Sequence, residues 1–227
     1  MTDCPFDICD GSGLVYDEST NTAYDCRCRK QIIALRKARS LSAVIPRRYH
    51  DVAFERYPVT EIDPAVVTAT RRFADAIDDR LDGGRGLWFM GPVGTGKTTL
   101  AMLVSKAALK AGRSVAIYSL PRLLNEIRDT HRAERSHVDL LDRLTAVDLL
   151  HIDDVGAERT TDWVLEELYS IVNARYEDER SMVITTNISD REALCEQITA
   201  RTVSRLTEMC DELPLLGHDL RMEFRPA

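Results

Sequence analysis

Eight consecutive residues, Gly91-Pro92-Val93-Gly94-Thr95-Gly96-Lys97-Thr98, constrain this chain more than any other feature. They follow the apolar run Leu87-Trp88-Phe89-Met90 and lead through Thr99 into the helical pattern Leu100-Ala101-Met102-Leu103-Val104. The order is strand, loop, helix. The glycines let the backbone curl so that several N–H groups converge on one anion, and the helix start adds the positive end of its dipole. Lys97 supplies a positive charge toward the β- and γ-phosphates, and the Thr98 hydroxyl is placed to ligate Mg²⁺. A glycine-rich turn that happens to carry a lysine is the competing reading. The complete pattern in a strand-to-helix setting argues against it, so Gly91 to Thr99 are the expected binding residues for a nucleoside triphosphate.

A second landmark is Val147-Asp148-Leu149-Leu150-His151-Ile152-Asp153-Asp154, an apolar run ending in two carboxylates. Placed after a phosphate loop, this is the layout by which an ASCE-type ATPase holds Mg²⁺ and activates water. Asp153 is the expected metal residue, through the ion's water shell, because Mg²⁺ dehydrates reluctantly. Asp154 is the expected base or water-orienting group. The alternative is a pair of strand-end aspartates capping the next helix. His151, between apolar neighbours, reads as a packed residue and not a catalytic one. The run Met182-Val183-Ile184-Thr185-Thr186-Asn187 is a further strand, and Asn187 at its end either orients the attacking water or caps the helix that follows.

At 227 residues there is length for one α/β domain and a small appendage. No apolar run approaches the ~20 residues that span a bilayer. Met1-Thr2-Asp3-Cys4 lacks the basic-then-apolar layout of a secretory signal, so a cytoplasmic protein without membrane contact is expected. The net charge of −7 disfavours coating nucleic acid by bulk charge, but the charge is unevenly spread. From Arg27 to Arg56 nine basic residues face two acidic ones, a local +7 that leaves −14 elsewhere. That is a basic arm on an acidic body, or a solvated face that binds nothing in particular.

Four of the six cysteines, Cys4, Cys9, Cys26 and Cys28, fall in the first 28 residues. In a reducing compartment such clustering points to metal before disulfides. Two cysteine pairs on turns flanking a short hairpin make a four-thiolate zinc site, which can fold a segment too small for a core. The single residue between Cys26 and Cys28 is tighter than usual, and free thiols in a loose tail are the alternative. From Arg29 to about Leu41, Ile32, Ile33, Leu35 and Ala38 interleave with basic residues as a basic amphipathic helix that Pro46 ends. Three regions result: residues 1–45, a zinc-binding partner module with its basic helix; 46–62, a linker with apolar anchors at Val52, Phe54 and Tyr57; and 63–227, the ATPase domain. Helices are expected over about Asp63 to Leu81, Lys97 to Ala111, Leu120 to about Arg135, Val138 to Leu144 and Trp163 to Glu179, and around Arg201 to Leu206, with a closing strand over Leu213 to Gly217.

Taken together, Gly91 to Thr98, Ile152-Asp153-Asp154-Val155-Gly156-Ala157-Glu158-Arg159-Thr160-Thr161-Asp162-Trp163, Asn173-Ala174-Arg175-Tyr176-Glu177, Thr185-Thr186-Asn187, Ser204-Arg205-Leu206-Thr207-Glu208-Met209-Cys210 and Gly217-His218-Asp219-Leu220-Arg221 resemble the DnaC/IstB-type AAA+ ATPases. These are helicase loaders of bacteria and phages and ATPase helpers of certain transposases. The resemblance runs from about Arg47 to Arg221. It implies an α/β AAA+ domain with a five-stranded parallel sheet in the order 5-1-4-3-2, which sets Asn187 between the phosphate loop and Asp153-Asp154. It also implies ATP and Mg²⁺ as cofactors, beside the zinc of the cysteine module. An arginine finger is implied as well, supplied to a neighbouring copy in an ATP-bound homo-oligomer. Arg205 matches that position and Arg201 is the reserve; pairing with a carboxylate such as Glu208 is the structural alternative.

The resemblance further implies a face for single-stranded DNA on residues 120 to 135, with Arg122, Arg128, Arg132 and Arg135 meeting phosphates and His131 able to stack. Its N-terminal region would grip a hexameric replicative helicase. Two departures stand out. Asp154 occupies a position where many AAA+ proteins have glutamate, which fits slow hydrolysis and a timed switch. Ala227 comes too soon for a helical lid of usual size, so a sensor arginine is expected to be missing, with Arg221 a weak substitute. The expected activity is ATP-dependent helicase loading in DNA replication, with hydrolysis as the release step. A transposition helper is the alternative on the same fold, and a P-loop small-molecule kinase is a more distant one.

Overall fold

The computed structural model describes residue 4 and residues 6–29, 45–130, 134–157 and 161–223. Beyond Arg29, the basic helix expected as far as Leu41 lies outside these residues, as do His131, Arg132 and the 158–160 stretch. Among the described residues, no helix is long and apolar enough to cross a membrane.

Near the N-terminus, β1 (Leu14–Asp17) and β2 (Thr22–Asp25) pair antiparallel, with Leu14 opposite Asp25. This is the short hairpin expected between the cysteine pairs. With no apolar core of its own, it is flanked by a buried knot of Cys4, Cys26 and Cys28.

The main body is built on five parallel strands: β3 (Gly86–Met90), β4 (Val115–Ser119), β5 (Leu149–Asp153), β6 (Ser181–Thr186) and β7 (Cys210–Pro214). Their spatial order is β4-β5-β6-β3-β7. Counted from the phosphate-loop strand this is 2-3-4-1-5, the expected order read from the other edge. Strand alternation divides the core in two. Leu87, Phe89, Val115, Ile117, Leu149 and Val183 face α1 (Pro64–Asp75), α2 (Ile77–Asp82) and α3 (Lys97–Lys110). Trp88, Ala116, Tyr118, Leu150, Ile152, Met182 and Ile184 face the other layer. That layer holds α4 (Leu120–Thr130), α5 (Glu134–Ala146), α6 (Asp162–Glu177), α7 (Arg191–Ile198) and α8 (Ala200–Met209). His151 lies buried on the α3 side, its Nδ1 3.0 Å from the Ser105 hydroxyl. Burial lowers its pKa to about 3, so it is a neutral packed residue, as its apolar neighbours implied.

Several boundaries differ from the sequence expectation. The helix expected over Leu120 to about Arg135 ends at Thr130, and the one expected from Val138 begins at Glu134, so Arg135 belongs to α5. The helix expected over Asp63 to Leu81 breaks at Ala76 into α1 and α2. The helical stretch around Arg201 is preceded by a separate helix, α7, and Thr199 at φ 72° both ends α7 and caps α8, accepting from the Thr202 N–H. The closing strand is Cys210–Pro214, three residues earlier than Leu213 to Gly217. On a sheet edge the pairing comes from the backbone, so the polar Asp211 and Glu212 serve as strand residues, and Arg85 holds Asp211 at 2.6 Å.

The 46–62 stretch, read as a linker with anchors, is folded back onto the α3 side. Val59 and Ile62 are fully within that core, and Ile45, Tyr49, Val52 and Phe54 pack against it. Lys106 on α3 pins the strap by donating to the carbonyls of His50 and Val52, each at 2.8 Å.

Fully buried Arg175 on α6 is a structural tie. Its guanidinium donates to the carbonyls of Leu144, Thr145, Val147, Asp148 and Ser181, which satisfies the C-terminal end of α5 and joins it to β5 and β6.

Candidate functional site

At the C-terminal ends of the strands, where ligands of open parallel sheets collect, the chain forms a cavity of about 400 Å³. It is lined by Val93, Gly94, Gly96, Lys97, Thr98 and Thr99 of the loop, by Asp154 and Asn187, and by Arg48, Tyr49, Tyr57, Pro58, Leu220 and Arg221. Thr95 is buried behind the loop, its hydroxyl donating to the Pro92 carbonyl at 2.9 Å. The backbone demands glycine at Gly94, where φ is +81° and an added Cβ would lie 1.8 Å from an Asp219 carboxylate oxygen. At Gly91 the same addition would strike the Leu215 carbonyl at 2.1 Å. The loop is thus packed from behind by 215–220, with the Leu220 N–H donating to the Gly94 carbonyl at 3.1 Å.

Lys97 is buried and donates to the carbonyls of Gly91 (2.8 Å) and Pro92 (2.6 Å). Burial pulls its pKa below the ordinary lysine value, while Asp154 and Asp153 act to restore it. The Thr98 hydroxyl donates to both oxygens of Asp153, at 2.9 and 3.2 Å, so the two residues expected to hold Mg²⁺ converge. Asp154 adopts the left-handed conformation at φ 59°, a turn that aspartate tolerates. The turn leaves the Asp154 carboxylate in the cavity wall, where the Asn187 amide donates to its Oδ1 at 3.4 Å. Burial, then the neighbouring Asp153 charge, raises the Asp154 pKa above the ordinary carboxylate value.

One contributor escaped the sequence reading as a site residue. Buried Thr185, on β6 between β3 and β5, donates its hydroxyl to Asp153 Oδ1 at 2.6 Å and accepts the Asp154 N–H at 2.9 Å. A single hydroxyl therefore fixes both acids. Its local signal was slight, a hydroxyl residue one position before the end of the strand. Thr185→Val, which keeps the shape and removes the hydroxyl, is expected to cost about 1–3 kcal/mol of stability. It should also lower kcat for ATP about ten-fold or more while leaving nucleotide affinity nearly intact, as checked by urea melts and steady-state kinetics.

The strap was also missed as a site element, whereas the C-terminal turn was expected to offer Arg221 only as a weak sensor substitute. Tyr49, Arg48 and Tyr57 come from the stretch read as a linker, and the Tyr57 hydroxyl donates to the Leu220 carbonyl at 2.8 Å. Arg221, on α9 (Leu220–Glu223), reaches the same cavity as Lys97. Arg205 and Arg201 lie on α8, and neither lines this cavity.

The four N-terminal thiols form a second constellation. Cys4, Cys9, Cys26 and Cys28 place their Sγ atoms within 4.8 Å of one another, with Cys4 to Cys26 at 3.8 Å and Cys9 to Cys28 at 3.4 Å. Tetrahedral zinc with four thiolates needs sulfur separations of about 3.8 Å, so the donor set fits. Burial opposes ionisation of Cys4, but N–H groups of Ile8, Cys9 and Phe6 outweigh it and lower the pKa to about 6. Burial, together with the other three thiols, pushes the Cys28 pKa well up.

Comparison with known proteins agrees with this geometry. A family model described as IstB-like ATP binding protein matches residues 65–225. The replicative helicase loader DnaC of Escherichia coli (strain K12) is 28% identical over 160 residues, which cover 70% of this chain and 64% of that protein. The chain thus spans slightly under two thirds of that relative's length. DnaC of Buchnera aphidicola subsp. Schizaphis graminum is 24% identical over 203 residues, 86% of this chain and 78% of the relative. A crystal structure of the DnaC helicase loader superposes with a TM-score of 0.65 at 27% identity, over 75% of this chain and 99% of that one. A crystal structure of DnaI, at 21% identity and a TM-score of 0.62, shares the fold. With the family model covering most of the sequence and the sheet order and phosphate loop in place, this chain belongs to the DnaC/IstB-type AAA+ family, that of the IstB-like ATP binding proteins.

Proposed function

We propose that this protein is an ATP-dependent loader of a hexameric replicative helicase, in which ATP binding drives assembly and DNA contact and slow hydrolysis releases the loader. The observation that carries the ATPase part is the convergence of Lys97, the Thr98–Asp153 pair and the Asp154–Asn187 pair on one cavity. Thr98 and Asp153 would hold Mg²⁺, which neutralises phosphate charge when bound. Lys97 binds the phosphates, Asn187 orients Asp154, and Asp154 accepts the proton of the attacking water. Tyr49 and Tyr57 fit an aromatic base at the far end of the cavity, and Arg221 fits a phosphate contact. Arg205 serves a neighbouring copy.

The loader reading is supported by the DnaC relatives and by the thiol module, which gives the chain a dedicated partner-binding element. The second reading is a helper that delivers a transposase, the role that the resemblance to IstB-type proteins implies. Immobilised protein with ATP should retain the hexameric helicase of its host and not a transposase; retention of the transposase alone would reverse the choice.

Single-stranded DNA is assigned to α4, where Arg122 and Arg128 are exposed and Arg128 stacks 4.8 Å from the Trp163 ring. Losing both arginines should weaken binding of a thymidine oligomer equally across sequences. It should also reduce the slope of log affinity against log salt by about 1.4, at about 0.7 per phosphate contact. An unchanged slope would place the DNA elsewhere.

The thiol module is assigned zinc. About one equivalent per chain is expected by metal analysis, and a strong chelator should abolish the amide protection of the hairpin over 6–28 without touching the ATPase body. Full protection after the metal is removed would contradict the assignment.

A further inference from the structure

Arg205 is half-buried on α8, and its surroundings are aromatic. The guanidinium carbon lies 4.9 Å from the Tyr169 ring centroid and 5.4 Å from that of Tyr176. Both tyrosines come from α6, seven residues and two helical turns apart, so their Cα atoms lie on one face about 10 Å apart along the axis and the rings converge on one guanidinium. The Arg205 Nε is buried without a hydrogen-bond acceptor, so ring faces are what this part of the charge meets. The Tyr176 hydroxyl is in turn engaged by Glu208, one turn beyond Arg205 on the same helix. That contact steadies the ring and gives this carboxylate on the same helix a phenol for a partner. Arg201, exposed one turn earlier, has no such ring contact among the described residues.

The two ways of holding an arginine differ in what they leave available. A carboxylate neutralises the guanidinium, whereas ring faces restrict a long, rotamer-rich side chain and leave its charge for another anion. We propose that Tyr169 and Tyr176 are positioning residues, an aromatic clamp that holds the Arg205 guanidinium oriented and unneutralised for the nucleotide site of a second copy of this chain. The proposal rests on the reading of Arg205 as the finger acting on a neighbour, and it adds the residues that aim it.

The test uses full-length subunits in mixtures. Acceptors carry Arg205→Ala with an intact cavity; donors carry Lys97→Ala, which removes their own nucleotide site and keeps Arg205. If unmodified donors do not stimulate ATP hydrolysis by acceptors, the finger reading falls and takes the clamp with it. With that stimulation in hand, donors that also carry Tyr169→Leu and Tyr176→Leu are expected to stimulate kcat about ten-fold less or worse, with KM for ATP unchanged because the acceptor's cavity sets it. Donors with Tyr169→Phe and Tyr176→Phe should stimulate like the parent, since the ring faces remain. If the double leucine donor melts early, Tyr169→Leu against Tyr169→Phe decides the matter alone. A leucine donor as effective as its parent, or a phenylalanine donor as poor as the leucine one, would overturn the clamp.

Discussion

Asp154→Asn subunits are expected to bind ATP as the parent does and to hydrolyse it about 10²- to 10⁴-fold more slowly, the usual contribution of a positioned general base. Two independent readouts follow from the environment of this carboxyl. Burial and the Asp153 charge hold its pKa in the free protein above the ordinary value, so the parent's kcat/KM should fall on an acidic limb lying above the ~3.9 of a free aspartate, because only the ionised form accepts a proton. The same raised pKa means that the folded state binds this proton more tightly than the unfolded chain. Stability from this group therefore declines as pH rises through the window from the ordinary value to the raised one, and the charge is a small liability at neutral pH. Asp154→Asn should accordingly lose hydrolysis and gain slightly in Tm. A variant that hydrolyses ATP at the parental rate would remove Asp154 from the chemistry.

The largest expected loss of stability comes from a residue with no place in the chemistry. Arg175→Met keeps most of the side chain's volume but leaves the carbonyls of Leu144, Thr145, Val147, Asp148 and Ser181 without their buried donor. The expected cost is about 3–5 kcal/mol, or about 10 °C in Tm for a chain of this size, with ATP affinity preserved in the fraction that remains folded. Arg175→Lys should recover little, because an ammonium cannot reach so many carbonyls from one planar fork. Burial lowers the Arg175 pKa only to about 9, so the donor stays charged at neutral pH. A melting temperature within about 2 °C of the parent would show that α5 finds another C-terminal partner.

The residues easiest to recognise were those whose chemistry is local in sequence. The phosphate loop, the strand-end acids and Asn187 each occupy a few adjacent positions at the end of an apolar run, which sets each at a strand end, and the family resemblance implied the sheet order that brings those ends together. The four cysteines were legible by clustering, and the hairpin between them was expected from the two cysteine pairs that flank it. What escaped depends on contacts between distant segments. Arg175, within Asn173-Ala174-Arg175-Tyr176-Glu177, reads as a surface helix arginine until α5 ends against it. The strap through Arg48, Tyr49 and Tyr57 has neither a period of two nor of 3.6, and only Lys106 and the α3 core reveal that it is seated beside the cavity. Thr185 looks like one more β-branched residue in a strand, and its role appears only when β5 lies alongside. The closing strand was displaced because an edge strand tolerates the polar residues that a periodicity argument excludes.

In the proposed reading the phosphate loop is half of a shared active site that DNA and assembly switch on. The most direct measurement is the rate of ATP hydrolysis per subunit as protein concentration is raised, with and without a thymidine oligomer. The expected result is a weak basal rate that climbs steeply with concentration and rises further with DNA, and that stays low at every concentration for Arg205→Ala. A rate per subunit that is flat with concentration and indifferent to DNA would contradict it.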